Sequence, residues 1–520
     1  MKNYCNTSAC SDENALLCIY GLGSEEEMKK CLTLLTEKPK QYIAILEESH
    51  PSSEKKLLSS IGKKLLKEER FRFFRWTSDA EREEVFKTVA WEYLFLPFHF
   101  SIAEQYLAER EQEARRLFAQ LESTMRHVQY YAADFIDGGV LLVKNFFSHL
   151  QLAQHAKEAL QLQGAFKGTA ALICGAGPSL SQHFESIESI NQKALLFAGG
   201  STLAILSKQG IVPHFCAGID PAMPIERFKE SHFFEVPFFY QNRLSWAVSA
   251  LLHAPLLWAD NRAVHPLEEA QKGRSPIAFD GGYNVVTFCT ALAVHLGCSP
   301  ILFAGVDLGA KTENLYAEGV EEKAALNSLI KIETSDQNIF YSRPDWLIAV
   351  EWLEAFIQEH RDVAFFRMGG QGYPLRGTLP ISSTKIKELL PHSFDLKGKI
   401  FAHWAELSSM ENRYEEASNS FFSSVQRSLE ICEELLALFE REFPRSPLEK
   451  GEYVLKEYKL MQEFAYRTFL EPMWQVWQYP FRRAARQKLE YAFSRLLFFK
   501  ERLNNLQGVK WNSTACGKID

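Results

Sequence analysis

The chain has 520 residues, of which 46% are hydrophobic and 24% are charged, and its formal net charge is -7. This length exceeds what a single hydrophobic core usually supports, so we expect two to four domains. The composition is that of a globular protein, and it excludes a chain dominated by disorder. The negative charge argues against a general nucleic-acid coat protein, and we expect no nucleic-acid partner.

Ten cysteines are scattered along the chain, and they form neither a CxxC pair nor a Cys/His zinc spacing. Scattered cysteines of this kind are typical of a reducing compartment. The first residues lack an apolar signal core, and no uninterrupted apolar run is long enough to span a membrane. The sequence therefore predicts a cytoplasmic protein with no membrane span.

Residues 1–100 alternate strand and helix patterns, which predicts a small N-terminal Rossmann-like α/β domain. Its strands are expected at Ala15–Tyr20, Tyr42–Leu46, Phe71–Phe74 and Tyr93–Leu96. The turn Gly21–Gly23 lacks a third glycine and is followed by acidic residues. We therefore favour a scaffold or interaction role over nucleotide binding for this domain. Residues 101–164 have helical spacing and are predicted to form a helical connector.

The most informative stretch is a glycine turn that follows the apolar run Ala170–Ile173 and precedes a predicted helix. The turn comprises Gly175, Ala176, Gly177, Pro178 and Ser179. A strand that enters a helix through such a turn leaves unpaired backbone N–H groups at the helix start, and these groups suit a phosphate. We therefore predict that the turn binds the phosphate of a nucleotide.

Residues 165–385 are predicted to form a central Rossmann-like α/β domain with a mainly parallel sheet, and polar residues follow its strands. In an open parallel sheet, ligands bind at the carboxyl ends of the strands. Candidate nucleotide-binding residues beyond the glycine turn are Gly199, Gly200, Ser201, Thr202, Asn242 and Tyr283. Candidate catalytic residues are Asp220, Asp280 and Asp307. His214 is also a candidate base, but it precedes a strand, so a structural role is favoured. Residues 386–520 have helical patterns throughout and predict a C-terminal helical domain.

These motifs resemble the central domain of motility accessory factor (Maf) proteins and of the related MptE-like 6-hydroxymethylpterin pyrophosphokinases. The resemblance covers roughly residues 165–385. It rests on the glycine turn, on Gly199-Gly200-Ser201, on Gly210-Ile211-Val212-Pro213 before Asp220-Pro221, and on Phe303-Ala304-Gly305-Val306-Asp307-Leu308. The order of an N-terminal α/β domain, this domain and a helical tail is similar to that of Maf proteins.

The resemblance to Maf proteins implies a glycosyltransferase that moves a nonulosonic, sialic-like acid from a CMP-sugar to a protein hydroxyl. Such a transfer needs a base for the acceptor proton and donors that support the departing phosphate. Asp220 is a candidate base because it follows a strand. The expected ligands are a CMP-type nucleotide-sugar donor and a protein acceptor.

Two alternatives stay open. The resemblance to the pyrophosphokinases implies a diphosphate transfer from ATP with magnesium, in which Asp220 and Asp307 would hold the metal if their strands are neighbours. A catalytically inactive nucleotide- or protein-binding scaffold is the third reading. We favour the two transferase readings over the scaffold, and the glycosyltransferase over the diphosphotransferase.

Overall fold

The structure is a computed structural model. It describes residues 14–48, 55–152, 156–223, 225, 235–259, 279–312, 314–318, 329–333, 338–369, 372–407, 411–442, 445–477 and 488–507. The chain divides into two compact units, residues 1–133 and 134–520. In the described residues, no helix is long and apolar enough to cross a membrane.

The first unit contains a four-stranded, entirely parallel sheet in the order β3-β2-β1-β4. Its strands are β1 (Leu16–Tyr20), β2 (Tyr42–Glu48), β3 (Phe71–Trp76) and β4 (Phe98–Ile102). Its helices are α1 (Glu25–Glu37), α2 (Ser60–Leu65), α3 (Asp79–Glu92) and α4 (Glu104–Leu107), and α5 (Glu111–Leu152) continues into the second unit. Ser24 and Glu27 form a capping box that fixes the start of α1.

The strand predicted at Tyr93–Leu96 is wrong. Helix α3 continues to Glu92, and the Tyr93 N–H donates to the Val89 carbonyl as the helix ends. Phe95 then has a positive φ of 61°, which an extended strand does not allow. The fourth strand is β4 instead, and it pairs with β1.

The carboxylate of Glu47 lies at the turn Gly21–Gly23 and binds one of its backbone N–H groups. The Leu22 N–H donates to Glu47 Oε2 at 2.7 Å, and Tyr106 Oη donates to Glu47 Oε1 at 2.7 Å. Negative charge at this position disfavours a bound phosphate. A scaffold or interaction role for this domain stays the favoured prediction.

The second unit is built on a nine-stranded sheet, and every strand pair in it is parallel. The strands are β5 (Ala156–Glu158), β6 (Ala170–Cys174), β7 (Ala194–Gly199), β8 (Phe215–Gly218), β9 (Phe238–Tyr240), β10 (Leu256–Trp258), β11 (Ile301–Ala304), β14 (Phe365–Met368) and β15 (Leu379–Ile381). Their order is β15-β14-β11-β6-β7-β8-β9-β10-β5. A separate antiparallel pair is formed by β12 (Ile330–Glu333) and β13 (Ile339–Ser342).

Helices cover both faces of the large sheet, as expected for a parallel sheet whose strands are buried on both sides. They are α6 (Phe184–Ile190), α7 (Ser201–Lys208), α8 (Trp246–Ser249), α9 (Val285–His295), α10 (Pro344–Glu359), α11 (Ser383–Leu389) and α12 (Leu396–Glu406). The remaining helices, packed against one another, are α13 (Glu411–Glu442), α14 (Gly451–Gln462), α15 (Glu471–Trp477) and α16 (Lys488–Gln507). The predicted fold class, α/β with a mainly parallel central sheet and C-terminal helices, is confirmed.

The connector predicted for residues 101–164 is not helical throughout. It contains the long helix α5 and also β5, which pairs with β10 at the edge of the large sheet. Because β5 is only three residues long and contains Lys157 and Glu158, it lacks the apolar run from which a buried strand is predicted.

Candidate functional site

The glycine turn after β6 leads into a 3-10 helix at Pro178–His183, and the α-helix predicted there begins only at Phe184. Hydrogen bonds within the chain already use several of its backbone N–H groups. The Gly175 and Gly177 N–H groups donate to the carbonyls of Ala304 and Gly305, both at 2.8 Å. The loops that follow β6 and β11 are therefore joined directly to each other.

Asp307 occupies the position beside Ser179 that was predicted for a phosphate. Its Oδ2 accepts the Ser179 N–H at 2.8 Å, and its Oδ1 accepts the Ser179 hydroxyl at 2.7 Å. A Cβ atom added at Gly177 would collide with Oδ2 of Asp307 and approach the Gly305 carbonyl to 2.6 Å. The closeness of these groups explains the need for glycine at position 177.

The surroundings of Asp307 are those of a buried structural carboxylate. Burial raises the pKa of Asp307, while the hydrogen bonds from Ser179 and the nearby charges of His183 and Arg367 oppose that rise. The Asp307 carbonyl also accepts the Tyr373 N–H at 2.7 Å, which ties in the loop after β14. Asp307 thus connects three loops at the carboxyl edge of the sheet, and its predicted catalytic role stays a prediction.

The turn after β7 has a different character, because its N–H groups face no side-chain cap. Gly200 has a φ of 56° and is the N-cap of α7, and no side chain caps this helix. The first N–H groups of a helix have no partner within the helix. A Cβ atom at Gly200 would meet nothing closer than Met223 and Val285, both at 3.9 Å. The start of α7 is therefore an uncapped helix N-terminus, a geometry that binds anions, and Gly199, Gly200 and Thr202 are themselves buried there.

Asp220 follows β8, between the ends of β7 and β9. Its Oδ1 accepts the Ala222 N–H at 3.0 Å, and its carbonyl accepts the Ser245 N–H at 3.0 Å. The strand order separates β8 from β11 by β7 and β6. Asp220 and Asp307 thus follow strands that are three spacings, roughly 14 Å, apart. The condition for a shared magnesium ion, that the two strands be neighbours, is not met.

Asn242 follows β9, two residues after its last residue, and is 4% exposed. Neither its Oδ1 nor its Nδ2 has a hydrogen-bond partner among the residues that the structure describes. Buried side-chain amides are nearly always paired, so an unpaired one needs an explanation. Among the predicted nucleotide-binding residues, Asn242 is the buried one with unused hydrogen-bonding capacity.

Asp280 and Tyr283 lie in the loop that leads into α9. Asp280 Oδ1 accepts the Gly282 N–H at 2.8 Å, and Oδ2 accepts the Trp352 Nε1–H at 2.7 Å. Asp280 also borders a cavity of about 510 Å³ between α9 and α10. The Tyr283 N–H donates to Thr287 Oγ1, and burial raises the pKa of the Tyr283 hydroxyl. Their predicted catalytic and binding roles stay predictions.

His214 lies just before β8, and its ring supports the sheet. Nδ1 accepts the Leu196 N–H at 3.0 Å, which assigns the ring proton of the neutral imidazole to Nε2. Burial lowers the pKa of His214 to about 4. This geometry agrees with the structural role that the sequence favoured.

Two buried polar residues of α5 were missed by the sequence analysis. Asn145 Nδ2 donates to the carbonyls of Pro221 (2.9 Å) and Arg243 (3.0 Å), and its Oδ1 accepts the Trp246 N–H at 3.2 Å. His149 contacts Ser249 Oγ at 2.5 Å and stacks on the ring of Tyr240. Their spacing of four residues, within an apolar stretch of helix, was the available signal.

The described residues contain no group of three or more His, Cys, Asp or Glu side chains that could hold a metal ion. The candidate site that the geometry supports is the polar carboxyl edge of β7, β8 and β9, where the turn Gly199–Thr202, Asp220 and Asn242 lie.

Comparisons with known proteins agree with this architecture. Residues 144–313 match the family model described as 6-hydroxymethylpterin diphosphokinase MptE-like. The fold is similar to that of the Maf glycosyltransferase from Magnetospirillum magneticum AMB-1, with 16% sequence identity and a TM-score of 0.55. That similarity covers 95% of this chain and 78% of the other. No curated protein sequence matches the chain. The resemblance of the central domain to the Maf/MptE-like family, expected from the sequence, is therefore confirmed.

Proposed function

We propose that the protein is a nucleotide-dependent glycosyltransferase that moves a sialic-like sugar from a CMP-type donor to a protein hydroxyl. The observation that carries the proposal is the turn Gly199–Thr202, whose helix start has no side-chain cap and no acidic residue in its first turn among the residues that the structure describes. This turn offers a phosphate site at the carboxyl edge of a parallel sheet. The similarity in fold to a Maf glycosyltransferase supports the same class of reaction.

In this proposal the donor phosphate binds at Gly199–Thr202, and Asp220 accepts the proton of the acceptor hydroxyl. Asp220 follows the strand next to that turn, and one of its oxygens, Oδ1, is oriented by the Ala222 N–H. A carboxylate held in this way suits a general base, because the hydrogen bond that Oδ1 accepts also fixes the orientation of Oδ2. The departing phosphate would be supported by backbone N–H groups of the turn.

The second candidate is a diphosphate transfer from ATP, which the description of the matching family model favours. Magnesium would be required, because it bridges and neutralises the phosphates in such reactions. The separation of Asp220 from Asp307 by three strand spacings removes the metal pair predicted for this chemistry. The glycosyltransferase therefore remains the preferred proposal.

An activity assay on the full chain distinguishes the two reactions. The protein is incubated with CMP-linked sialic-like sugars and a cell lysate, and modified peptides are identified by mass spectrometry. We expect sugar-modified Ser or Thr peptides that disappear with Asp220→Asn. In a parallel reaction with ATP, magnesium and 6-hydroxymethylpterin, formation of the pterin diphosphate would instead support the second candidate. Absence of both products would leave neither proposal standing and favour a binding scaffold.

A further inference from the structure

The side-chain amide of Asn242 is buried and unused. Asn242 is 4% exposed, and within the described part of the chain both its amide nitrogen and its amide oxygen lack a partner. Leaving such buried groups unpaired destabilises the folded state. A protein that keeps this cost at the carboxyl edge of a parallel sheet retains hydrogen-bonding capacity where ligands bind.

Contacts from α5 hold the residues on both sides of Asn242. Before it, the ring of Tyr240 stacks on His149 with centroids 5.0 Å apart. After it, the Arg243 carbonyl accepts a hydrogen bond from Asn145, and the Arg243 side chain pairs with Asp134 at 2.8 Å. Residues of α5 therefore preorganise the segment that presents Asn242.

The pair of unused atoms defines the chemistry of the group that would satisfy them. An amide offers one acceptor and two donor hydrogens. A phosphate offers acceptor oxygens and would leave the amide oxygen of Asn242 unpaired. An edge that carries a donor beside an acceptor satisfies both atoms at once, and the edges of nucleobases have this arrangement.

We infer that Asn242 recognises the base of the donor nucleotide, through two hydrogen bonds to an edge that presents a donor and an acceptor. This inference rests on the proposed donor site, and it assigns the nucleotide-binding role predicted for this residue to the base. In the sheet, β8 lies between β7 and β9. The segment of Asn242 is thus two strand spacings, roughly 10 Å, from the turn Gly199–Thr202. The phosphate binds at the end of β7 and the base at the end of β9.

The inference is tested by isothermal titration of the full chain with CMP, cytidine and ribose 5-phosphate. The variant is Asn242→Leu, which removes both polar atoms without adding a charge. We expect the affinities for CMP and cytidine to fall by about tenfold or more, a loss typical of a bidentate contact to a base. The affinity for ribose 5-phosphate should stay within about twofold, because that ligand has no base.

A stability measurement separates recognition from a structural role. Asn242→Leu should raise the Tm of the ligand-free protein by roughly a few degrees, because it removes an unpaired buried amide. The matched variant Asn145→Leu should lower Tm, because Asn145 makes three hydrogen bonds.

In the titration, equal losses of affinity for CMP and ribose 5-phosphate in Asn242→Leu, or an unchanged affinity for CMP, would overturn base recognition by Asn242. If the unsubstituted protein binds ribose 5-phosphate but neither CMP nor cytidine, base recognition fails while the phosphate site stands. If it binds none of the three, the donor site itself is rejected.

Discussion

Asp307 and Asn242 both lie near strand ends, yet their hydrogen bonds give them opposite characters. Both oxygens of Asp307 accept hydrogen bonds from Ser179, whereas the amide of Asn242 has no partner in the described residues. The sequence predicted both as site residues because Asp and Asn are the types expected at such positions. Which of them has capacity left for a ligand depends on contacts between segments more than a hundred residues apart in the chain, and residue type alone does not report these contacts.

Replacing Asp307 should destabilise the second unit. Asp307→Ala leaves the Ser179 N–H and hydroxyl without their acceptor in a buried place, so we expect a loss of about 2–4 kcal/mol in the free energy of unfolding. Asp307→Asn keeps an acceptor and the shape, and should lose less. Chemical denaturation of both variants checks this order. A stability of Asp307→Ala equal to that of the parent would show that the contacts with Ser179 contribute nothing.

Asp307 should also make stability fall as pH rises. Because burial raises its pKa above the ordinary value, the folded state holds this proton more tightly than the unfolded state. The free energy of unfolding therefore decreases with rising pH across the window between the ordinary and the raised pKa. Asp307→Asn should remove this decrease, and denaturation at a series of pH values measures it. An identical pH profile for parent and variant would contradict the raised pKa.

His214 should act in the other direction. Burial lowers its pKa from 6.5 to about 4, so the unfolded state binds more protons between these values. Stability is therefore full above pH 6.5 and is lost as pH falls towards 4, by up to about 3 kcal/mol. His214→Asn retains an acceptor for the Leu196 N–H but does not titrate. Its stability should vary less over this window, and an equal loss in both proteins would exclude His214 as the cause.

Strands that coincide with apolar runs were predicted from the sequence, whereas β5, which has no such run, was not. The strands β6, β7 and β11 are runs of buried apolar residues bounded by glycine or polar residues, and their alternation with helices correctly predicted a parallel sheet. Strand β5 has only three residues, and only its pairing with β10 identifies it as a strand. The start of α6 was predicted too early, because Pro178–His183 adopts a 3-10 helix around the loop of Asp307.

The start of α9 is stabilised by a capping box between Asn284 and Thr287. Asn284 Oδ1 accepts the Thr287 N–H at 2.9 Å, while Thr287 Oγ1 accepts the Asn284 N–H at 3.0 Å. Asn284→Ala should reduce the free energy of unfolding by about 1 kcal/mol, whereas Asn284→Ser should retain most of it. Denaturant titration compares them, and equal stability of the two variants would show that the cap is dispensable.

At the scale of the whole molecule, the strand order decides which predicted residues belong together. The sequence placed polar residues after several strands of the central sheet but contained no information on which strands are neighbours, because pairing between distant strands is a tertiary property. The order shows that β6 and β11 are adjacent, so their loops join each other through Asp307. It also places β8 between β7 and β9, which brings the turn Gly199–Thr202, Asp220 and the segment of Asn242 to one stretch of the edge.

In the proposed function, a donor nucleotide binds across the carboxyl ends of β7, β8 and β9. Hydrogen–deuterium exchange of the full chain, with and without saturating CMP, tests this binding mode. We predict slower exchange of the backbone amides in residues 199–203 and 241–245 when CMP is present, because bound ligand and reduced opening protect them. Unchanged exchange in both segments, or protection confined to the glycine turn at 175–180, would contradict it.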